Sequence, residues 1–376
     1  MPLTFRAAVL EQAGKAQPYA ESQPLEVREI AVEGPRAHEV LVRIAAASLC
    51  RSDLSVIDGK RAWPLPIVPG HEASGVIEEV GADVTKVRKG DAVVLVFQAQ
   101  CGVCPSCMAG DAHLCGPGLA ANRRGELLAG GTRLRSQSGD IHHHMGLSAF
   151  AEYAVVSEKS VVPMPQDIDL EVGALFGCAV MCGAGTVLNT AKVQPGDTVA
   201  IVGAGGVGCS AILGARVAEA GRIIVIDSDA DRLPAATELG ATDTLFNDGG
   251  DTALQVLEMT GGGVDHAFET AGTRGAFEVA YAAARRGGQV VTLGLVDPAT
   301  PFSLDIAGLV TSAKTIKGSY IGSCNAALDI PRYMALYQSG RLPVEKLISH
   351  RLALGEINTA LDNMVTNQAL RQIIRP

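Results

Sequence analysis

The sequence predicts an α/β protein of two domains, with a β-rich first part and a doubly wound parallel sheet in the second part. Three observations lead to this prediction. A chain of 376 residues is long for a single domain. The first 160 residues contain short strand-like runs separated by Gly, Pro and Asp turns, and from about residue 199 apolar β-branched runs alternate with alanine-rich helical segments.

The composition excludes several classes of protein. With 47% hydrophobic and 19% charged residues, the chain has ample material for buried cores and does not have the composition of a disordered protein. A formal net charge of −9 argues against a nucleic-acid or anionic-membrane partner. The first six residues lack the apolar core of a signal peptide, and nine cysteines do not suit a complete disulfide framework. We therefore expect a cytoplasmic protein.

The strands of the first part are predicted at 39–44, 75–80 and 92–97. In the second part, apolar runs at 199–202, 223–226, 265–268 and 289–293 alternate with helical stretches such as 210–220, which predicts a parallel sheet covered on both faces. Amphipathic helices are expected at 330–338 and 356–364. The stretch 199–215 is the one that imitates a membrane span, and its glycines favour a buried strand, turn and helix.

A glycine loop directly follows the strand at 199–202. Gly203, Gly205, Gly206 and Gly208 fit the pattern G-x-G-x-x-G, and Asp227 ends the next strand. The first glycine of this pattern permits a tight turn, the next lets a pyrophosphate approach the backbone, and the last lets helix and strand pack closely. The pattern predicts a dinucleotide site at a helix N-terminus, and a purely structural turn is the alternative.

The residues around Asp227 indicate which dinucleotide is bound. A carboxylate accepts hydrogen bonds from an unmodified ribose and repels a 2′-phosphate. Asp229 adds to that repulsion, and Arg232 partly offsets it. The sequence therefore favours NAD over NADP.

Four cysteines lie within one loop of the first part, at positions 101, 104, 107 and 115. Four thiolates at this spacing suit a closed tetrahedral zinc site, which leaves no position for substrate and is therefore structural. The spacing differs from that of bacterial ferredoxins, and two disulfides are the alternative.

A second set of candidate ligands is dispersed along the chain and consists of Cys50, His71 and Cys178. Two thiolates and an imidazole would bind a catalytic zinc ion with its fourth position open. Spacing alone does not connect these residues, since a single cysteine is more simply a buried thiol.

Taken together, these motifs resemble the zinc-dependent medium-chain alcohol dehydrogenases, particularly the dimeric animal and plant type. The resemblance extends over essentially the whole chain to Arg371. It is carried by segments that follow the order and intervals of that family, namely Cys50-Arg51-Ser52-Asp53, Gly70-His71-Glu72-x2-Gly75-x5-Gly81, the four-cysteine loop, His142-His143-x-Met145-Gly146 and the glycine loop.

The resemblance implies a GroES-like fold for the catalytic domain, two zinc ions per chain and NAD. Cys50, His71 and Cys178 would hold the catalytic zinc, Asp53 would orient His71, and Glu72 would lie behind the metal. The implied activity is reversible hydride transfer between an alcohol and its aldehyde or ketone.

Further roles also follow from the resemblance. Arg51 and Arg371 would contact the pyrophosphate, Val207 and Cys182 would pack near the nicotinamide, and Ser52 would hydrogen-bond the substrate oxygen and pass its proton outward. The substrate pocket would be lined by Phe97, His144 and Met145.

The sequence departs from the family pattern at the end of the proton relay and in the residues that bear on substrate. Ser55 occupies the position of a relay histidine, which predicts an alkaline pH optimum. Glutathione-dependent formaldehyde dehydrogenases carry an arginine soon after the fourth loop cysteine; here Arg123 and Arg124 come later, and Arg61 stands near an acidic position of that branch. Such a dehydrogenase, a polyol dehydrogenase and a non-catalytic dinucleotide-binding relative are the alternative functions.

The resemblance also predicts the domain organisation. The catalytic domain is expected at 1–179 and 322–376, with a Rossmann domain at 180–321 and a cleft between them at the carboxyl ends of the Rossmann strands. The long segment after Cys115 is typical of dimeric members, so we expect a homodimer.

Overall fold

The computed structural model describes residues 3–296 and 299–376. Contacts within the chain define two compact units. The first unit comprises Met1–Cys178, Asn325–Gln338 and Leu347–Pro376, and the second unit comprises Ala179–Cys324 and Ser339–Lys346. The domain boundaries predicted at 179/180 and 321/322 lie close to the divisions at 178/179 and 324/325, but residues 339–346, which were expected in the catalytic domain, belong to the second unit. The assignment of one unit to catalysis and the other to NAD stays a prediction.

Eighteen strands are formed by the described residues. In chain order they are β1 (Leu3–Leu10), β2 (Leu25–Val32), β3 (Glu39–Ser48), β4 (Ile67–Val68), β5 (Glu72–Val80), β6 (Ala92–Val96), β7 (Leu134–Ser136), β8 (Gly139–His143), β9 (Tyr153–Ser157), β10 (Val161–Pro163), β11 (Thr198–Val202), β12 (Arg222–Asp227), β13 (Asp243–Phe246), β14 (Val264–Glu269), β15 (Ala284–Thr292), β16 (Thr315–Gly318), β17 (Ile348–Ala353) and β18 (Arg371–Arg375).

Thirteen α-helices are formed by the described residues. They are α1 (Tyr19–Ser22), α2 (Arg51–Ile57), α3 (Pro105–Met108), α4 (Gly116–Arg124), α5 (Leu170–Leu175), α6 (Met181–Gly185), α7 (Gly206–Val217), α8 (Leu233–Leu239), α9 (Thr252–Thr260), α10 (Arg274–Ala283), α11 (Ile306–Ser312), α12 (Ala326–Gln338) and α13 (Ile357–Val365).

The first unit is built on two sheets. Strands β1, β2, β7, β8 and β4 close into a barrel, whose core contains Phe5, Ile30 and Ile141. The second sheet has the order β10-β6-β5-β3-β18-β17, and β9 also pairs with β3. The C-terminal strand β18 pairs with β3 directly before Cys50, so the end of the chain lies beside the start of the candidate metal site.

The second unit contains one six-stranded sheet in the order β13-β12-β11-β14-β15-β16, and every pairing in it is parallel. Its central strands are buried on both faces, which agrees with their continuous apolar sequence; Ile224 and Val225 on β12 have no exposed surface. The α/β fold class is confirmed. The order of strands reverses at β11, which places the switch point of the sheet at the glycine loop.

The prediction that 199–215 is the one span-like stretch was wrong. The helical segment Leu170–Ala191 is long and apolar enough to cross a membrane, with a mean hydropathy of 1.6, but 83% of that stretch is buried inside the protein. It consists of α5, α6 and two π-helical turns, Phe176–Val180 and Thr186–Ala191. Burial of this kind is typical of a core helix.

Candidate active site

Three buried donor groups come together in the first unit, as the resemblance implied. Cys50 is the residue before α2, His71 directly precedes β5, and Cys178 lies in the π-helical turn Phe176–Val180. The Cys178 Sγ atom lies 3.5 Å from the His71 Nε2 atom, and the donor atoms of all three residues lie within 4.8 Å of one another. A π-helical turn inside a longer helix is frequently found at a functional site.

The donor set of this cluster fits a zinc ion. With Zn–S of about 2.3 Å and Zn–N of about 2.0 Å, two tetrahedral ligands are separated by about 3.5 Å, which the structure shows for Cys178 and His71. A hydrogen bond from Cys178 and the charge of His71 lower the pKa of the Cys50 thiol well below its ordinary value, although burial opposes this. Two thiols and one imidazole leave one position of a tetrahedron for another ligand.

Asp53 holds the imidazole of His71 in place. Its Oδ1 atom lies 2.9 Å from His71 Nδ1 and accepts a hydrogen bond from the backbone N–H of Gly70 at 3.1 Å. Its Oδ2 atom accepts the N–H of Cys50 at 3.1 Å. Burial alone would raise the pKa of Asp53, but the charge of His71, the hydrogen bond from His71 and the nearby His144 ring keep it well below its ordinary value. The carboxylate therefore stays ionised and fixes the tautomer that leaves His71 Nε2 free to ligate.

Glu72 and Arg371 form a buried ion pair beside this cluster. Arg371 Nη1 donates to Glu72 Oε2 at 3.1 Å and lies 3.4 Å from the carbonyl oxygen of Leu49. Burial acts to lower the pKa of Arg371, but the negative charge of Glu72 raises it above its ordinary value. Since the guanidinium is 4% exposed, a contact of Arg371 with the pyrophosphate stays a prediction.

The serines of the predicted relay lie on α2. The Cys50 thiol lies 3.9 Å from the Ser52 hydroxyl, so this hydroxyl is adjacent to the metal donors. Ser55 donates its hydroxyl proton to the backbone carbonyl of Ser52 at 2.8 Å, which commits it to the helix backbone. Arg51 at the start of the helix is exposed and donates to the Asn367 side chain at 2.9 Å.

The residues predicted to line the substrate pocket form an aromatic group around His71. Phe97 meets the His71 ring edge-on with centroids 5.5 Å apart, and His144 does so at 5.6 Å. Trp63 packs edge-on against His144 at 5.0 Å. Met145 follows in a left-handed conformation with φ of 53°.

The four cysteines of the loop also come together. Their Sγ atoms all lie within 4.8 Å of one another, and Cys101 and Cys107 are 4.0 Å apart. Tetrahedral thiolates on zinc are separated by about 3.8 Å, so the group fits the ion. A backbone hydrogen bond from Cys107 lowers the pKa of Cys104 to about 6. None of the nine cysteines forms a disulfide, which argues against the disulfide alternative.

The glycine loop of the second unit has the geometry that a phosphate site requires. Gly203 has φ of 109°, and its N–H donates to Ile226 at 2.8 Å. Gly205 precedes α7 and provides no side-chain cap, so the first N–H groups of the helix are open to an anion. The Cβ atom of a larger residue at Gly208 would lie 1.8 Å from the Gly203 oxygen, which explains the need for glycine there.

Asp227 ends β12 beside this loop. Its carboxylate accepts the N–H of Ala204 at 2.5 Å and the N–H of Asp229 at 2.9 Å. It also lines a cavity with Gly203, Ser228 and Asn247, at the carboxyl ends of the strands. These positions fit the adenosine half of a dinucleotide. Arg232 lies 3.6 Å from Asp229 and near the loop.

Two further predicted residues, Val207 and Cys182, belong to segments that pack closely together. Val207 is in the first turn of α7, and a Cβ atom added at Gly183, the residue after Cys182, would lie 2.4 Å from the Val207 carbonyl oxygen. Thr270, which the sequence analysis missed, donates its hydroxyl to the Gly203 carbonyl at 2.7 Å. Its position directly after a buried parallel strand is the signal that could have identified it.

Comparison with known proteins identifies the family. Residues 36–166 match the model of the alcohol dehydrogenase GroES-like domain, and residues 206–339 match that of the zinc-binding dehydrogenases. The alcohol dehydrogenase class-3 of Myxine glutinosa is 37% identical over 94% of this chain and 95% of its own length. The S-(hydroxymethyl)glutathione dehydrogenase of Synechocystis sp. is 37% identical over 98% and 99%. The crystal structure of benzyl alcohol dehydrogenase from Acinetobacter calcoaceticus superposes with a TM-score of 0.92 at 32% identity, covering 99% of both chains.

The chain belongs to the zinc-dependent medium-chain alcohol dehydrogenase family. The prediction of an NAD-linked zinc enzyme that interconverts alcohols and carbonyl compounds is confirmed at this level, as are the predicted cofactors, zinc and a nicotinamide dinucleotide. The roles of the individual site residues stay predictions.

Proposed function

We propose that this dehydrogenase oxidises aromatic primary alcohols with NAD and does not require glutathione. The observation that carries the proposal is the group of rings around His71, where Phe97, His144 and Trp63 pack edge-on within 5.0 to 5.6 Å of one another or of His71. Edge-on aromatic packing is favourable, and a benzylic ring would extend it. The similarity to a benzyl alcohol dehydrogenase supports the same substrate class.

We assign the catalytic zinc to Cys50, His71 and Cys178, and the structural zinc to the four-cysteine loop. When bound, the catalytic zinc would polarise the substrate oxygen and the dinucleotide would exchange hydride with the substrate carbon. Ser52 is placed to take the hydroxyl proton of the substrate, because its own hydroxyl is adjacent to Cys50. The first unit is thereby proposed to be catalytic, and the second unit to bind NAD.

A screen of alcohols tests the proposed substrate class. Formation of NADH would be measured with benzyl alcohol, cinnamyl alcohol, ethanol, cyclohexanol and glucitol, and with formaldehyde plus glutathione. We expect kcat/KM for benzyl alcohol to exceed that for ethanol by about tenfold or more, the scale of discrimination by an apolar pocket. Phe97→Leu should reduce this ratio. A preference for ethanol or glucitol would contradict the proposal.

Oxidation of the glutathione adduct of formaldehyde is the second candidate, because several relatives carry that name. Binding of two glutathione carboxylates needs unpaired cations. Arg124 already donates to Glu126 at 2.7 Å, whereas Arg123 is exposed. Activity that appears only with glutathione and is lost in Arg123→Ala would favour this candidate.

We further propose a homodimer that forms along the edge of the parallel sheet. β16 is the last strand of that sheet, and apolar side chains near it are exposed, including Ile306 at 63% and Val310 at 71%. Exposed apolar surface beside an open strand edge is typical of an interface. Light scattering should give twice the monomer mass of 38.9 kDa, and Val310→Asp should shift the protein toward the monomer.

We propose a cytoplasmic location. The nine cysteines form no disulfide, which supports this location because thiols persist in reducing compartments. Fractionation of cells that express the tagged protein tests this location, and its recovery in a secreted fraction would contradict it.

A further inference from the structure

His144 is a buried imidazole, and the aromatic packing described above does not explain its two ring nitrogens. It directly follows β8, has no exposed surface, and its backbone N–H donates to the Ser148 hydroxyl at 3.0 Å. Neither ring nitrogen has a well-aligned hydrogen-bond partner among residues 3–296 and 299–376. A phenyl ring would fill the same space against Trp63 without burying two polar atoms, which is costly when they are unpaired. The imidazole therefore needs another reason to be there.

One oxygen of the carboxylate that holds His71 lies close to this ring. The Nδ1 atom of His144 lies 3.2 Å from Oδ1 of Asp53. The same oxygen lies 2.9 Å from Nδ1 of His71 and accepts the backbone N–H of Gly70. Two imidazoles thus approach one carboxylate oxygen, and the two rings are nearly perpendicular, at 85°.

We propose that His144 is a positioning residue of the catalytic metal site, whose Nδ1–H shares the Asp53 oxygen with His71. By holding this carboxylate, His144 keeps His71 Nε2 directed at the thiols of Cys50 and Cys178. The inference rests on the proposed assignment of zinc to these three residues. It concerns a donor N–H and not a change of protonation.

Zinc retention tests the proposal without any need for turnover. The holoenzyme, its His144→Phe variant and its His144→Asn variant would be mixed with excess of a coloured zinc chelator, and the two zinc ions would be followed as separate kinetic phases. The amide nitrogen of asparagine and the Nδ1 atom of histidine are the same number of bonds from Cα, so asparagine can donate to the same carboxylate. Phenylalanine keeps the ring but has no donor. Loss of a partner of a metal ligand costs about 10- to 100-fold in metal affinity.

We expect His144→Phe to accelerate release of one zinc by about tenfold or more, and His144→Asn to restore most of the retention. The zinc of the four-cysteine loop should be released at the wild-type rate in both variants, which also reports that they are folded. His142→Phe is the matched control, because His142 is two residues away and has no contact with Asp53 in the described structure. It should retain both zinc ions normally.

A double-mutant cycle with Asp53→Asn tests whether His144 acts through this carboxylate. In the Asp53→Asn background, His144→Phe should change the release rate by less than about twofold. Wild-type retention in His144→Phe, or an undiminished effect in the Asp53→Asn background, would overturn the proposal. A wild-type chain that holds two zinc ions but oxidises no alcohol would refute the proposed function and leave this inference standing.

Discussion

Replacing Gly208 with alanine would disturb the glycine loop at its tightest point. Gly208 lies in the first turn of α7, and a Cβ atom there would be 1.8 Å from the carbonyl oxygen of Gly203 and 2.8 Å from the Thr270 hydroxyl. Nonbonded heavy atoms prefer separations of about 3.5 Å, so the helix and the loop must move apart by about 1 Å or more.

A movement of this size displaces the N–H groups that would face the pyrophosphate. Misplacement of binding groups by about 1 Å costs on the order of 100-fold. We therefore expect the Kd for NADH to rise by about 100-fold, which corresponds to about 2.7 kcal/mol. The measurement is the fluorescence of bound NADH during titration of the zinc-loaded protein, with zinc content and the thermal midpoint recorded for the same samples.

Substitutions at two other glycines distinguish a local steric defect in the loop from a general loss of stability. Gly355→Ala is the control, because no atom lies within 4 Å of its added Cβ, and it should bind NADH normally. At Gly205 the added Cβ meets only Arg232 Nη1, at 3.6 Å. Gly205→Ala should therefore keep the wild-type thermal midpoint without cofactor. Its affinity for NADH should nevertheless fall, because the added methyl group would stand where the pyrophosphate approaches the backbone. A Kd for Gly208→Ala within about threefold of wild type would refute this account of the loop.

Three further predictions follow from other parts of the site and the fold. Ser55→His should raise alcohol oxidation near neutral pH and move the alkaline pH optimum downward, because an imidazole of pKa about 6.5 can accept the proton that serine cannot; an unchanged pH profile of kcat/KM would refute the relay assignment. Asp227→Asn should lower the ratio of the Kd for NADPH to the Kd for NADH by about tenfold, since it removes a charge that repels the 2′-phosphate. An unchanged ratio in fluorescence titrations would show that Asp227 does not select the cofactor. Burial acts to raise the pKa of Glu171, but hydrogen bonds from Arg351 at 2.7 Å and Arg375 at 2.5 Å lower it. The ionised Glu171 carboxylate therefore stabilises the fold above the unfolded pKa of about 4.3, and this stabilisation is lost as the pH falls. Glu171→Gln should lower the free energy of unfolding in urea by about 1 kcal/mol or less at pH 7 and leave it unchanged under acidic conditions. Equal losses at both pH values would contradict this prediction.

The parallel sheet could be predicted from the sequence because its strands are buried on both faces. The strand predicted at 223–226 is observed as Arg222–Asp227, and the one at 265–268 as Val264–Glu269. Prediction was poorer where the local signal conflicts with the tertiary structure. β15 begins at Ala284, where one residue pairs with Val264, but the residues at 285–288 have the composition of a turn and form an irregularity, and regular pairing with β14 begins at Gln289.

For the helix after the glycine loop, the predicted and the observed start differ for a reason connected with the proposed cofactor site. It was predicted at 210–220 and is observed as Gly206–Val217. Glycines at its start have low helix propensity and give no side-chain cap, so the sequence signal begins late. These are the properties that leave backbone N–H groups open to a phosphate, and the error therefore falls at the residues that we propose bind the cofactor.

The two proposed metal sites differ in how far their candidate ligands lie apart in the chain, and this decides what a sequence can reveal about them. The four-cysteine loop spans 101–115, so its spacing alone predicts a site. Cys50 and Cys178 belong to distant elements, and only resemblance to a family connected them before the structure did. Neither spacing nor the family resemblance could predict the contact between His144 and Asp53. The two residues are 91 positions apart, and His144 occupies the unspecified position of the segment His142-His143-x-Met145. Side chains that support a metal ligand from a distant loop are thus the part of such a site that requires coordinates.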